Sequence, residues 1–170
     1  PGFGDGRYGA RIVALNARDG SPAWGPVALE GGYYWSGIAY EDGRVFFIND
    51  EGPLRAFDAD TGVELWSTEL GIDDSVTSPP TVVDGVVYVG VGVSSGGVCA
   101  VNAEDGALLW KATIHGGEHS SPVVQGNAVY VTYGCANAYR FERSSGALDW
   151  HYSGQCSDSI GTTAVYHDGR

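Results

Sequence analysis

The chain has 170 residues, 27 of them glycine and none methionine, with 21 acidic against 9 basic side chains and a formal charge of −12. That length can hold one domain with a real core, and so acidic a surface repels nucleic acid and anionic membrane rather than binding them. No apolar run approaches a membrane span, so membrane insertion is not expected. The start at Pro1-Gly2-Phe3-Gly4, without Met or a signal-like pattern, reads as a processed or trimmed product.

In chain order, residues 1–9 read as a Gly-rich loop. Arg11 to Asn16 reads as a strand, followed by a turn at Arg18–Gly20 and a strand carrying Trp24. A new pattern then begins. Ser36, Ser78, Ser120 and Thr162 stand 42 residues apart. After them come the short β segments Gly37–Tyr40, Pro79–Val83, Pro122–Val124 and Thr163–Tyr166. Each is followed by a turn, at Glu41-Asp42-Gly43, Asp84-Gly85, Gln125-Gly126-Asn127 and His167-Asp168-Gly169. Second β segments follow at Arg44–Ile48, Val86–Val89 and Ala128–Val131.

The third and fourth segments of each unit share one sequence. Ala56-Phe57-Asp58-Ala59-Asp60-Thr61-Gly62 leads to Trp66, and three other copies lead to Trp24, Trp110 and Trp150, always with Gly four residues before Trp. These tryptophans stand 42, 44 and 40 residues apart. Asp58 and Thr61 have side chains that bond nearby backbone in turns. Gly62 supplies a positive φ without steric cost. Such a unit cannot bury its own apolar face and must stack on the next. Short strands, regular turns and no helical period predict an all-β fold, and the repeat selects a β-propeller of four-stranded antiparallel blades. About four repeats are visible in one propeller segment, 1–170. The expected units are 1–31 (partial), 32–73, 74–115, 116–157 and 158–170 (partial). The two ends together make most of one more blade. They either close a ring or belong to a larger, eight-bladed propeller, which is the favoured reading.

The motif Ala-x-Asp-x-x-Thr-Gly-x-x-x-Trp resembles the tryptophan-docking repeat of pyrroloquinoline quinone (PQQ) propellers. Ala56–Trp66 matches it throughout. The copies at Ala14 and Ala100 carry Asn for Asp and Asp for Thr, and the copy at Arg140 keeps only Gly146 and Trp150. The resemblance implies that Trp24, Trp66, Trp110 and Trp150 are structural and mostly buried between blades, with Ala leaving room for them. One branch of that family holds PQQ with calcium in quinoprotein dehydrogenases. These have an Asp base beside a vicinal Cys-Cys disulfide, a pair this sequence lacks. The other branch keeps the fold without the cofactor, as in the propeller lipoprotein of the outer-membrane assembly machinery. The reading adopted is a non-catalytic, extracellular binding or protein-interaction scaffold with no cofactor. The alternatives are a fragment of a PQQ-dependent alcohol dehydrogenase with PQQ and calcium, and the extracellular sensor domain of a membrane-anchored protein.

Segments before each first strand should line one mouth of the channel, which places Tyr34, Trp35, Asp74, Glu118 and His119 as candidate ligand contacts. Solvated loops account for the same residues. Glu118-His119 could act in acid–base or metal chemistry, but no second His stands at a ligand spacing. The acidic clusters around Asp50, Asp58 and Asp73 match no calcium loop, so no metal site and no catalytic residue is assigned. The occupant would be a protein, peptide or glycan, and another propeller half or a second copy could close the ring. Cys135 and Cys156 lie in Gly-rich loops that a meander can bring to one blade edge. A disulfide there implies a secreted, cell-surface or periplasmic protein, and two buried thiols are the alternative. Cys99, within a strand, reads as a small core residue.

Overall fold

In the computed structural model the described residues are 10–29, 37–48, 53–71, 78–91, 96–114, 120–134, 137–154 and 163–170. Fourteen strands and no helix occur among them. A two-stranded ribbon pairs β1 (Ala10–Leu15) with β2 (Pro22–Leu29). Three antiparallel meanders follow. The first holds β3 (Ala39–Glu41), β4 (Arg44–Phe47), β5 (Leu54–Asp58) and β6 (Glu64–Thr68). The second holds β7 (Thr81–Val83), β8 (Val86–Val91), β9 (Gly97–Asn102) and β10 (Leu108–Thr113). The third holds β11 (Val123–Gln125), β12 (Ala128–Tyr133), β13 (Asn137–Glu142) and β14 (Leu148–Tyr152). These are propeller blades.

The turns explain why the meander repeats. Glu41 pairs with Arg44 and Val83 with Val86, which leaves two-residue loops at Asp42-Gly43 and Asp84-Gly85. Both residues of each loop have positive φ, 46° and 76° in the first, 51° and 73° in the second. Such a turn carries the right-handed twist that flanking strands need, and Asp-Gly tolerates it. Asp168-Gly169 repeats it with φ of 45° and 79°. Thr163–Tyr166 was expected to be a strand, yet it forms none, because no second strand pairs with it among the described residues.

Each central blade is buried on both faces, so β8 and β9 are nearly continuous apolar runs rather than alternating ones. One core layer joins Phe46, Ile48, Leu54 and Ala56 of the first blade to Val87, Val89, Cys99 and Val101 of the second. The next layer joins Tyr88, Val98, Ala100 and Trp110 of the second to Val129, Val131, Tyr139 and Phe141 of the third. A smaller layer sets Ile12 and Leu29 of the ribbon against Phe47 and Phe57. The core therefore lies between sheets, as adjacent side chains on one strand face opposite neighbours.

Candidate functional site

The seam between blades is built from the turn outward. In the first full blade, Asp58 Oδ1 accepts from the Asp60 amide at 3.1 Å, the Thr61 amide at 2.8 Å and the Thr61 hydroxyl at 2.7 Å. The Thr61 hydroxyl is the first cause holding the Asp58 carboxyl below its ordinary range. The Gly62 amide closes the loop on the Asp58 carbonyl at 2.9 Å, and the same bond recurs from Gly20 to Asn16, Gly106 to Asn102 and Gly146 to Glu142. All four glycines have φ between 70° and 76°.

This turn receives the tryptophan of the preceding blade. Trp24 Nε1 donates to the Ala59 carbonyl at 2.7 Å, Trp66 Nε1 to Ala103 at 3.1 Å and Trp110 Nε1 to Arg143 at 2.9 Å. The indole then lies flat against the turn glycine. A Cβ added at Gly62, Gly106 or Gly146 would stand 2.5–2.7 Å from Cε3 of Trp24, Trp66 or Trp110. The glycine thus serves twice, for its positive φ and for its missing side chain. The amides of Ala59, Ala103 and Arg143 bond to Gly43, Gly85 and Asn127 of their own blades. One residue at each seam therefore ties the blade's inner hairpin, through its amide, to its neighbour's indole, through its carbonyl.

The Ala of the motif lies between two rings. Phe46 pairs with Ala56 and Ala56 with Trp66 across three strands, and the Phe46 and Trp66 centroids are 5.9 Å apart. Tyr88, Ala100 and Trp110 repeat this at 6.0 Å. In the third blade Arg140 replaces Ala between Tyr130 and Trp150, with its guanidinium 6.0 Å from the Tyr130 ring centre and an ion pair to Asp149.

Two further side chains cross the seams. The Glu41 carboxylate accepts from the Asp84 and Gly85 amides of the next blade at 3.0 and 2.7 Å. Arg143 reaches back to the Tyr88 hydroxyl, the Val83 carbonyl and Asp84, each at 2.9 Å. Sequence reasoning missed both. For Arg143 the signal was available, since Arg stands where the three other copies have Ala17, Ala59 and Ala103.

The four tryptophans differ in burial. Trp110 is buried, Trp24 and Trp66 are half-buried, and Trp150 is 45% exposed. The burial expected for Trp150 is corrected by this exposure. Among the described residues no turn glycine lies against its ring. Tyr34, Trp35, Asp74, Glu118 and His119 lie outside the described residues, as do Cys135 and Cys156. Cys99 is fully buried in the layer between the first and second blades. Among the described residues no group of three or more His, Cys, Asp or Glu side chains could hold a metal ion.

A family model described as outer membrane protein assembly factor BamB matches residues 9–92 and 89–168. The BamB of Moranella endobia (strain PCIT) is 31% identical over 129 residues, covering 71% of this chain and 33% of that protein. The quinoprotein alcohol dehydrogenase PedE of Pseudomonas putida is 37% identical over 116 residues, covering 65% of this chain and 18% of that protein. The crystal structure of BamB from Moraxella catarrhalis superposes with a TM-score of 0.64 at 21% identity, over 79% of this chain and 40% of that one. The chain spans about a third of the length of the BamB relatives it matches.

Proposed function

The chain belongs to the outer membrane protein assembly factor BamB family, and from that premise we propose that it is part of a non-catalytic propeller serving as a protein-interaction scaffold outside the cytoplasm. The observation that carries this reading is the family match, which runs through both halves of the chain. The relatives bearing that name are assembly factors of the outer membrane by their description. A rigid stack of blades suits the role, since the scaffold fixes the strands while loops at the mouth carry recognition. The mouth contacts proposed are Tyr34, Trp35, Asp74, Glu118 and His119, and the ring proposed is a larger, eight-bladed one.

A second reading has its own support in the 37% identity to PedE. Under it the chain would be part of a quinoprotein dehydrogenase, and PQQ with calcium would supply the redox chemistry at the mouth. The segments that would meet that group are outside the described residues, so no step is assigned to them.

One experiment separates the readings. The protein is titrated with PQQ plus calcium and assayed for dye-linked alcohol oxidation. In parallel, photo-crosslinking residues are placed at positions 35, 119 and 42 during expression in a bacterial envelope. The scaffold reading expects discrete protein adducts from 35 and 119 but not from 42, in the β3–β4 turn, and no turnover. Saturable PQQ binding with turnover that Trp35→Ala abolishes would replace it with the dehydrogenase.

A further inference from the structure

Arg143 and Arg44 bring a guanidinium into adjacent seams from opposite sides. Between the second and third blades the third blade supplies it, and Arg143 meets the Tyr88 hydroxyl, the Val83 carbonyl and Asp84, each at 2.9 Å. One seam earlier the corresponding residues are Ala103 for Arg143, Phe46 for Tyr88, Glu41 for Val83 and Asp42 for Asp84. There the first blade supplies the cation itself, since Arg44 stands where the second blade has Val86. The exchange leaves Arg44 poorly satisfied. Phe46 has no hydroxyl to offer. Among the described residues, the one hydrogen bond of the Arg44 side chain runs from Nη1 to the Asp42 carbonyl at 3.5 Å, and its Nε is buried without a partner. Nor does it join an ion pair among them. Buried donors in folded proteins almost always have a partner, so this one calls for an explanation.

Ala103, in place of a long side chain, leaves space at this seam. A cavity of about 490 Å³ is lined by Glu41, Asp42, Arg44, Asn102, Ala103 and Glu104 among others, a size found in small-molecule sites. Its donors are the recessed Arg44 guanidinium and Asn102 Nδ2, since Asn102 Oδ1 already accepts the Glu104 amide at 2.8 Å. Its acceptors are the carboxylates of Asp42 and Glu104, both exposed residues. Glu41 is already committed, with one carboxylate oxygen on the Asp84 amide and the other on the Gly85 amide. An anion alone would meet three carboxylates against one guanidinium. A cation alone would leave the Arg44 Nε–H unanswered. A ligand carrying both charges answers both, and the excess of carboxylates favours a ligand with one more positive charge than negative.

We propose that this cavity binds a basic α-amino acid. Its carboxylate is held by Arg44 and the Asn102 side-chain amide, and its α-ammonium and side-chain cation by Asp42 and Glu104. A carboxylate on a guanidinium is among the stronger charge-assisted pairs, and the planar fork suits it. The site uses none of the mouth residues and does not depend on what the mouth binds.

The test titrates the 170-residue chain at pH 7 with L-lysine, acetate and n-butylamine, by calorimetry and heteronuclear NMR. L-Lysine should saturate, with shifts of the Arg44, Asn102 and Glu104 amides. Acetate and n-butylamine carry one kind of group each and should bind at least about tenfold more weakly. Arg44→Gln and Glu104→Gln should each weaken L-lysine by roughly tenfold to a hundredfold. Ala103→Arg should abolish binding, because it places in this seam the side chain that the next seam already holds. Its circular dichroism should match the wild type, and if it fails to fold the two Gln variants decide. Asp60→Asn removes an exposed carboxylate that does not line the cavity, and should leave the affinity within about twofold. Acetate binding as tightly as L-lysine would make this a plain anion site, and n-butylamine doing so a plain cation site. Either result overturns the proposal, as does L-lysine that fails to saturate or that binds Arg44→Gln and folded Ala103→Arg unchanged.

Discussion

Arg143 donates its Nε–H to the hydroxyl of Tyr88 at 2.9 Å, across the seam between the second and third blades. Tyr88 is 1% exposed, so its hydroxyl depends on this partner. The same guanidinium also holds the Val83 carbonyl and Asp84. Asp84 has a side chain 76% exposed, and the ion pair adds little there. Arg143→Ala is expected to cost roughly 1–3 kcal/mol, mainly from stranding the Tyr88 hydroxyl. Urea unfolding of Arg143→Ala, Tyr88→Phe and the double variant checks this. The double variant should be less destabilised than the two singles added together, and strict additivity would show that the pair is not coupled.

Gly106 and Gly43 share a φ of 76°, but only Gly106 lies against an indole. A Cβ at Gly106 would stand 2.7 Å from Trp66 Cε3, while at Gly43 it would meet nothing within 4 Å. Alanine at either site carries the left-handed strain of about 1–2 kcal/mol. Gly106→Ala should lose about 1–3 kcal/mol more, from forcing atoms into a packed seam. The difference in denaturation midpoint reads the seam contacts that Trp66 and Thr68 Oγ1, 2.5 Å from such a Cβ, make at Gly106, and equal losses at the two sites would remove them as a stabilising feature.

Trp110→Ala should cost about 3–5 kcal/mol, as for other buried large side chains. Trp150→Ala should cost clearly less, since its ring is already 45% exposed. Thermal melts of the two variants check the order, which a loss at Trp150 equal to that at Trp110 would reverse.

Burial pushes the Cys99 thiol up from 9.0 to about 11, against a small opposing pull from Lys111. Between those values the unfolded chain releases a proton that the folded chain keeps, so stability should fall as pH rises from about 9 to about 11. The linkage amounts to roughly 2–3 kcal/mol at the upper end. Tyr133, also raised by burial, adds loss of the same sign from about pH 10 upward. Unfolding at pH 8 and 10.5 should show the decline, and Cys99→Ala should remove most of it, leaving the Tyr133 share. The folded protein should also protect Cys99 from thiol reagents at pH 8. After denaturation without reductant, one reactive thiol is expected if Cys135 and Cys156 are bridged, and three would exclude the bridge.

The sequence by itself determined the repeat, the blade topology and the turn chemistry, down to the Asp58 and Thr61 side chains bonding nearby backbone and the alanine that leaves room for the tryptophan. Those features are set within a few residues or by two-residue alternation along a strand, so local composition encodes them. It also contained the aromatic series Phe46, Tyr88 and Tyr130, 42 residues apart, whose role beside each tryptophan became visible only when the strands were paired. The tertiary structure decided which tryptophans are covered. Trp24, Trp66 and Trp110 find their carbonyls 33–37 residues away on another blade, so tryptophans at equivalent positions, Trp66 and Trp150, have different environments according to what stacks on them. It also decided that Arg143, a departure from the motif, clamps the preceding blade. A side chain's reach across a seam follows from how sheets stack, and stacking is a property of the assembled blades rather than of any one repeat.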